Sequence, residues 1–360
     1  MPSVSIRRRC LSLLGLLALS ALCACAATPP PPPAPAPGML DAHLAPGYNG
    51  VVLVRAGRAM PPLVQAYGKA QFETPVALTA DTRFMIGSVS KWITAVTVLR
   101  LVEGGQLDLD TPVTAWLPEL PAASAGVTLR TLLSNTSGIE NGLALAIKRD
   151  RSPERLTIAP LEAALRFGNG PLTFAPGTKF DYSVTNWLIV AGIVERVTGE
   201  AFTRTVTRLV LEPAGARDTG FADAQTAAMA RMAIAYDATG TTRKMMPAPP
   251  MVAASGTLYS TASDLVKIAD AVYGSDLLSA ASRRELLTVQ HAPEDYALGG
   301  RIKEVGARLF AWETGVSGGH KTLLAYAPAD GRAVVLLNNT DMAQSEQARI
   351  GLALLAALEK

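Results

Sequence analysis

From Gly50 onward, runs of apolar and polar positions divide the chain into a series of elements. Gly50 to Arg55 (GVVLVR) and Leu63 to Tyr67 are short apolar runs split by Ala56-Gly57-Arg58, which reads as a hairpin. From Ser88 to Val102 the apolar residues recur at helical spacing, and Gly104-Gly105 stop that helix where a left-handed cap is wanted. Asn186 to Val197 is a second apolar helix, closed by Gly199. Thr261-Ala262-Ser263-Asp264 resembles a capping box and opens a third helix through Val272. Lys321 to Ala327 and Arg332 to Leu337 read as strands around the Pro328-Ala329-Asp330-Gly331 turn, followed by an Ala-rich helix from about Gln344 to Leu358. Strands at both ends with mostly helical material between them predict an α+β fold. One sheet is built from both termini, and a helical region is inserted in the middle.

The first forty residues follow a different pattern. Arg7, Arg8 and Arg9 form a basic segment, Leu11 to Leu22 is apolar, and small residues follow. The apolar run is too short for a stable membrane span and has the three-part layout of an export signal. Two processing routes are open. Leu22-Cys23-Ala24-Cys25 resembles a lipoprotein box that would make Cys25 the lipidated first residue, whereas Ala24-Cys25-Ala26 suits ordinary signal peptidase. The Pro-rich stretch from Pro29 to Pro37 favours extended polyproline II and reads as a stiff spacer or a plain disordered leader. The expected organisation is a signal over 1–25, a linker over 26–40 and one catalytic domain over 41–360. That domain is expected in the periplasm, tethered to the membrane if the lipoprotein route is taken.

Composition narrows the chemistry. All three cysteines (Cys10, Cys23, Cys25) lie in the leader, so the folded part has neither a disulfide nor a thiol nucleophile. The chain has 33 Lys and Arg against 30 Asp and Glu, and Arg7 to Arg9 account for the whole excess. A near-neutral domain carries no electrostatic argument for nucleic acid. The three histidines, His43, His291 and His320, are scattered without metal-ligand spacing, and no Gly-rich phosphate loop precedes a helix. Neither a metal nor an organic cofactor is implied. No obligate protein partner is implied either.

Three stretches carry the candidate chemistry. In Phe84-Met85-Ile86-Gly87-Ser88-Val89-Ser90-Lys91, residues i and i+3 at a helix start share a face, so the Lys91 amine can reach the Ser88 hydroxyl. A serine hydroxyl is a poor nucleophile until a base takes its proton, and a buried amine can do so. The bland alternative is that Ser88 caps the helix and Lys91 is solvated. In Pro176-Gly177-Thr178-Lys179-Phe180-Asp181-Tyr182-Ser183, a tyrosine follows a Gly turn; beside a lysine it can relay a proton, and otherwise it is a core or turn residue. In Trp312-Glu313-Thr314-Gly315-Val316-Ser317-Gly318-Gly319-His320, small residues on an edge strand allow close backbone approach to a substrate, or form an ordinary turn.

Together these stretches resemble the serine β-lactamase and penicillin-binding protein superfamily, which uses Ser-x-x-Lys, Tyr-x-Asn and Lys/His-Thr-Gly. Thr82-Arg83-Phe84, Leu132 to Gly138 (LLSNTSG), Leu211-Glu212-Pro213, Asp218 to Phe221 and Ser260 to Leu265 also resemble landmarks of its class C-like branch. That branch contains class C β-lactamases, D-alanyl-D-alanine carboxypeptidases and β-lactamase-like esterases. The resemblance implies a β-lactamase/transpeptidase-like fold and a serine hydrolase acting on a small-molecule or peptidoglycan-like substrate through an acyl-enzyme. It implies Ser88 as nucleophile, Lys91 as its partner, Tyr182 as general base and acid, and the N–H groups of Ser88 and Val316 as oxyanion hole.

Two positions depart from the pattern. Val184 stands where the family has the Asn of Tyr-x-Asn, and Glu313 where it has Lys or His before Thr314-Gly315. Valine cannot bond the amide side chain of a lactam or peptide, and a carboxylate at 313 repels a substrate carboxylate. The expectation is a shift toward neutral or cationic esters and amides, unless His320 or Lys321 fills the place of the cation. A non-catalytic binding or sensor role is the rival from another class. Gly315-Val316-Ser317-Gly318-Gly319 formally matches a nucleophile elbow, but that fold needs an acid and then a histidine well downstream. Only His320 follows, so the elbow is rejected.

Overall fold

The computed structural model describes residues 37–359 apart from Pro75, so the leader, Cys25 and most of the Pro-rich stretch lie outside the described residues. The apolar run Gly50–Arg55 forms β1, whose six residues are all buried, and the chain returns as β2 (Leu63–Tyr67). The helical region contains α1 (Val89–Glu103), α2 (Val184–Thr198) and α3 (Ala262–Gly274). Four strands follow: β3 (Arg301–Val305), β4 (Arg308–Ser317), β5 (His320–Tyr326) and β6 (Ala333–Asn338). The chain ends in α4 (Gln344–Ala357).

These six strands make one antiparallel sheet in the order β2-β1-β6-β5-β4-β3, with β1 paired to β6 from Gly50↔Asn338 to Arg55↔Ala333. The two ends of the chain thus meet in the middle of the sheet, as expected from the strand pattern. Side chains alternate between the faces of a strand. Val52, Val54, Leu323 and Leu336 face α4 through Ile350 and Leu354. Val51, Leu53, Leu324 and Val335 join the core of the helical region. With both faces covered, β1 must be apolar at both parities, which is why it reads as a continuous rather than an alternating run.

α1 and α2 are apolar around most of their circumference because both are enclosed. Left-handed Gly105 follows α1 and left-handed Gly199 caps α2, and the Thr261 side chain accepts from Asp264 N–H at 3.1 Å to start α3. Sequence patterning missed β3. Its residues RIKEV carry three charges and only two apolar side chains, as suits an edge strand that must not recruit further strands. β3 pairs with β4 only as far as Arg301↔Trp312, so the last half of β4, Glu313 to Ser317, leaves that edge of the sheet open beside α1. Among the described residues no helix is long and apolar enough to cross a membrane.

Candidate active site

The nucleophile candidate stands at a junction between two sheets. A small sheet of Phe84–Met85, Leu258–Ser260 and Gly220–Phe221 delivers the chain to α1, with Ile86 N–H bonded to Leu258 C=O at 2.9 Å. Gly87 then turns with φ +51°. Ser88 occupies the N-cap position of α1, yet its side chain makes no capping hydrogen bond. The bland reading of Ser88 as a cap is therefore not what the geometry presents: its hydroxyl is left for other partners.

That partner is Lys91, one turn along α1. Its amine lies 3.3 Å from Ser88 Oγ and donates to Ser255 C=O at 2.7 Å. Lys91 is only 2% exposed, so the solvated alternative is also excluded. The Nζ sits over the faces of Tyr182, at 4.8 Å, and Trp187, at 5.6 Å. Tyr182 is exposed and reaches the site from the loop before α2. Asp181 N–H to Asn135 C=O (2.8 Å) and Gly177 N–H to Thr136 C=O (2.7 Å) pin that loop. Asn135 is itself held by Trp187 Nε1 at 3.2 Å and adopts φ +55°.

The free end of β4 closes the other side. A Cβ at Gly315 would lie 1.9 Å from Ile86 O, and one at Gly87 would lie 2.5–2.7 Å from the backbone of Val316. Both glycines are required by this close approach. It brings the Val316 peptide beside Ser88, whose N–H precedes the hydrogen-bonded series of α1.

Two lobes open from Ser88, Tyr182 and Val316. The polar one, a cavity of about 340 Å³, is lined by Tyr296, Gly300, Arg301, Glu313, Thr314 and Gln344 among others. The apolar one, about 280 Å³, is lined by Leu143, Ile147, Val184, Met246, Met251 and Val252 among others. The structure brings together Ser88, Lys91, Tyr182, Val184, Glu313, Thr314 and Val316, while Gly315 lines neither lobe and packs against the Ile86 carbonyl. It does not bring in His320 or Lys321. Lys321 is paired with Asp341, and neither residue lines either lobe.

His320 is 1% exposed beneath the edge of Phe84, their ring centroids 5.9 Å apart, and its two ring nitrogens have no partner among the described residues. Burial depresses its pKa to about 3. Its folded value therefore lies below the unfolded one. The stability it contributes is complete above about pH 6.5 and is lost as pH falls toward 3, at up to about 1.4 kcal/mol per pH unit. His320→Phe should flatten the loss of Tm between pH 6.5 and 4. An unchanged profile would place the acid sensitivity elsewhere.

Sequence reading missed much of the lining of both lobes, including Gln344 and Met246, and four residues that hold site groups or line the polar lobe. Ser255 holds Lys91, Asn135 holds the Tyr182 loop, and Tyr296 and Arg301 line the polar lobe. Of these four, only Asn135 had a signal, since it falls in the Leu132 to Gly138 landmark. The expected charge at 313 also needs correction. Burial pushes the Glu313 carboxyl well above the usual carboxylate range, with Arg301 opposing only in part, so the neutral acid is favoured. The departure at 313 is therefore a missing cation more than an added anion. The cation in this lobe is Arg301, 3.3 Å from Glu294.

This arrangement of sheet, serine–lysine pair and free strand edge defines a serine-dependent class, and residues 39–358 match the Beta-lactamase family, to which the chain belongs. It is 39% identical over 175 residues to esterase EstB of Burkholderia gladioli, a match covering 45% of this chain and 44% of that protein. The chain thus spans less than half the length of that relative. It is 31% identical over 298 residues to penicillin-binding protein 4 of Amycolatopsis lactamdurans, covering 76% of each. The crystal structure of a penicillin-binding protein from Bacillus halodurans superposes with a TM-score of 0.75 at 26% identity, covering 89% of this chain and 97% of that one.

Proposed function

We propose that this chain is a serine hydrolase that forms an acyl-enzyme on Ser88 and cleaves an ester or amide, with a preference for esters. The observation that carries the reading is the uncapped Ser88 hydroxyl, 3.3 Å from a buried amine at the junction of two lobes. Ser88 Oγ attacks the substrate carbonyl, and its proton passes through Lys91 and Tyr182 to the leaving oxygen or nitrogen as the C–O or C–N bond breaks. The N–H groups of Ser88 and Val316 take the charge that develops on the carbonyl oxygen. Water then attacks the acyl-enzyme by the reverse proton route, releasing the acid and restoring the hydroxyl. A purely binding role gives no reason to bury, beside a serine, an amine that has no carboxylate partner among the described residues.

The ester preference rests on what the lobes lack. Val184 offers no amide to a peptide-like side chain, and Glu313 supplies no cation. One observation favours the second reading, a lactamase or carboxypeptidase: Arg301 does bring a cation to the polar lobe. Its charge is already offset by Glu294. Turnover of a short-chain nitrophenyl ester compared with a chromogenic cephalosporin tests the preference. Ester turnover well above cephalosporin turnover is expected, and the reverse would restore the lactamase reading. Glu313→Lys should raise the cephalosporin-to-ester ratio of kcat/KM by about tenfold or more, the worth of a charge-assisted bond to a carboxylate. With Glu313→Gln as the fold control, an unchanged ratio would show that position 313 does not discriminate.

A further inference from the structure

The two lobes differ in a way that assigns the substrate. The apolar lobe presents Leu143, Ile147, Val184, Met246, Met251 and Val252. Met246, 57% exposed, belongs to this lobe alone, and Val316 at 42% and Tyr182 at 39%, shared with the polar lobe, add exposed apolar surface at its mouth. A mouth of exposed apolar groups leading into an apolar cavity marks a site for hydrocarbon rather than a chance feature of the surface. The one acid in this lobe, Glu154, is held by Arg151 at 2.8 Å. The polar lobe is the opposite. Tyr296 is buried, and its hydroxyl has no hydrogen-bond partner among the described residues. Glu313 is 3% exposed and forms no ion pair among the described residues. A hydrocarbon placed beside these groups would leave them desolvated and unpaired, whereas a leaving group with oxygen or nitrogen atoms could satisfy them.

We infer that the apolar lobe is an acyl-chain site, that the substrates are esters of aliphatic acids longer than acetate, and that Met246, on the Lys244–Pro250 segment, forms the outer wall that sets chain preference. The acyl chain lies against Val184 and Met246, and the leaving alcohol lies toward Tyr296, Thr314 and Gln344. This assignment rests on the hydrolase reading above and names the substrate class of the same site. It also gives Val184 a positive role. The apolar residue that stands in place of an asparagine is part of the wall against which the chain packs.

The test is a series of nitrophenyl acetate, butyrate and hexanoate, with Ser88→Ala subtracted as background. For the wild type, kcat/KM should rise about fourfold per added methylene until the lobe is filled; that factor corresponds to ~0.8 kcal/mol per buried CH₂ at 1.36 kcal/mol per decade. Met246→Asp and, separately, Val184→Asn should flatten the rise to less than about twofold per methylene. A flat wild-type series with Ser88 still labelled by a phosphonate overturns the acyl-chain assignment and leaves the hydrolase reading standing. A rise that survives both substitutions overturns the choice of lobe. Absence of turnover at every chain length together with absence of phosphonate labelling overturns the hydrolase reading, and this inference with it.

Discussion

Ser88→Ala is expected to lower kcat/KM on a nitrophenyl ester by at least about 10⁴-fold, leaving only the residue supplied by binding and the oxyanion donors. The structure adds a second expectation that separates chemistry from folding. An N-cap serine normally contributes about 0.5–2 kcal/mol through its side-chain bond to the first turn. Ser88 makes no such bond, so its loss removes little that holds α1 in place. The Tm of Ser88→Ala should therefore stay within about 3 °C of the wild type. Activity that survives the substitution would move the nucleophile elsewhere. A large fall in Tm accompanying the loss of activity would return Ser88 to the role of a cap.

Lys91→Met should separate stability from activity in the opposite sense. Lys91 is 2% exposed, and no carboxylate lies within ion-pair distance among the described residues. Its partners are the Ser255 carbonyl at 2.7 Å, the Ser88 hydroxyl at 3.3 Å and two aromatic faces. Keeping an amine in such a place has a desolvation cost that a thioether of similar length does not carry. Removing a positioned acid–base group should lower kcat/KM by about 10²–10⁴-fold. The Tm should hold or rise, because a site kept for chemistry is commonly a site kept at the expense of stability. If Tm fell by more than about 5 °C, Lys91 would be holding Ser255 and α1 together, and its burial would need no catalytic explanation.

These two expectations also explain why neither residue could be weighed from sequence alone. Ser88 with Lys91 three residues on is consistent with an exposed helix start, a cap or a nucleophile. The choice depends on Ser255, 164 positions later, closing over the amine. The same holds for Glu313. Its carboxyl group was legible, but its environment was not: Gly300 leaves the space its side chain fills, and burial then favours the neutral form. An argument from formal charge gave repulsion of anionic substrates, and the folded environment replaced it with the absence of a cation.

What the sequence by itself determined is what local chemistry encodes. The apolar runs within Gly50–Arg55 and Arg332–Leu337 marked two strands, which the fold places at Gly50–Arg55 and Ala333–Asn338. The positive-φ glycines Gly105 and Gly199 marked where helices end. The Ser88–Lys91 spacing placed two side chains on one helical face, and the landmarks around them placed the chain among serine hydrolases of this family. Tertiary structure alone decided the rest, because it depends on which distant segments share a space. β3 stayed hidden because an edge strand buries only one side and tolerates charge, and with it went Arg301. Tyr296 reached the polar lobe and Met246 the apolar one from segments whose local patterns carry no chemistry. The division of the cleft into a polar and an apolar lobe exists only once strands 301–317, the 244–250 segment and the two central helices are packed around Ser88.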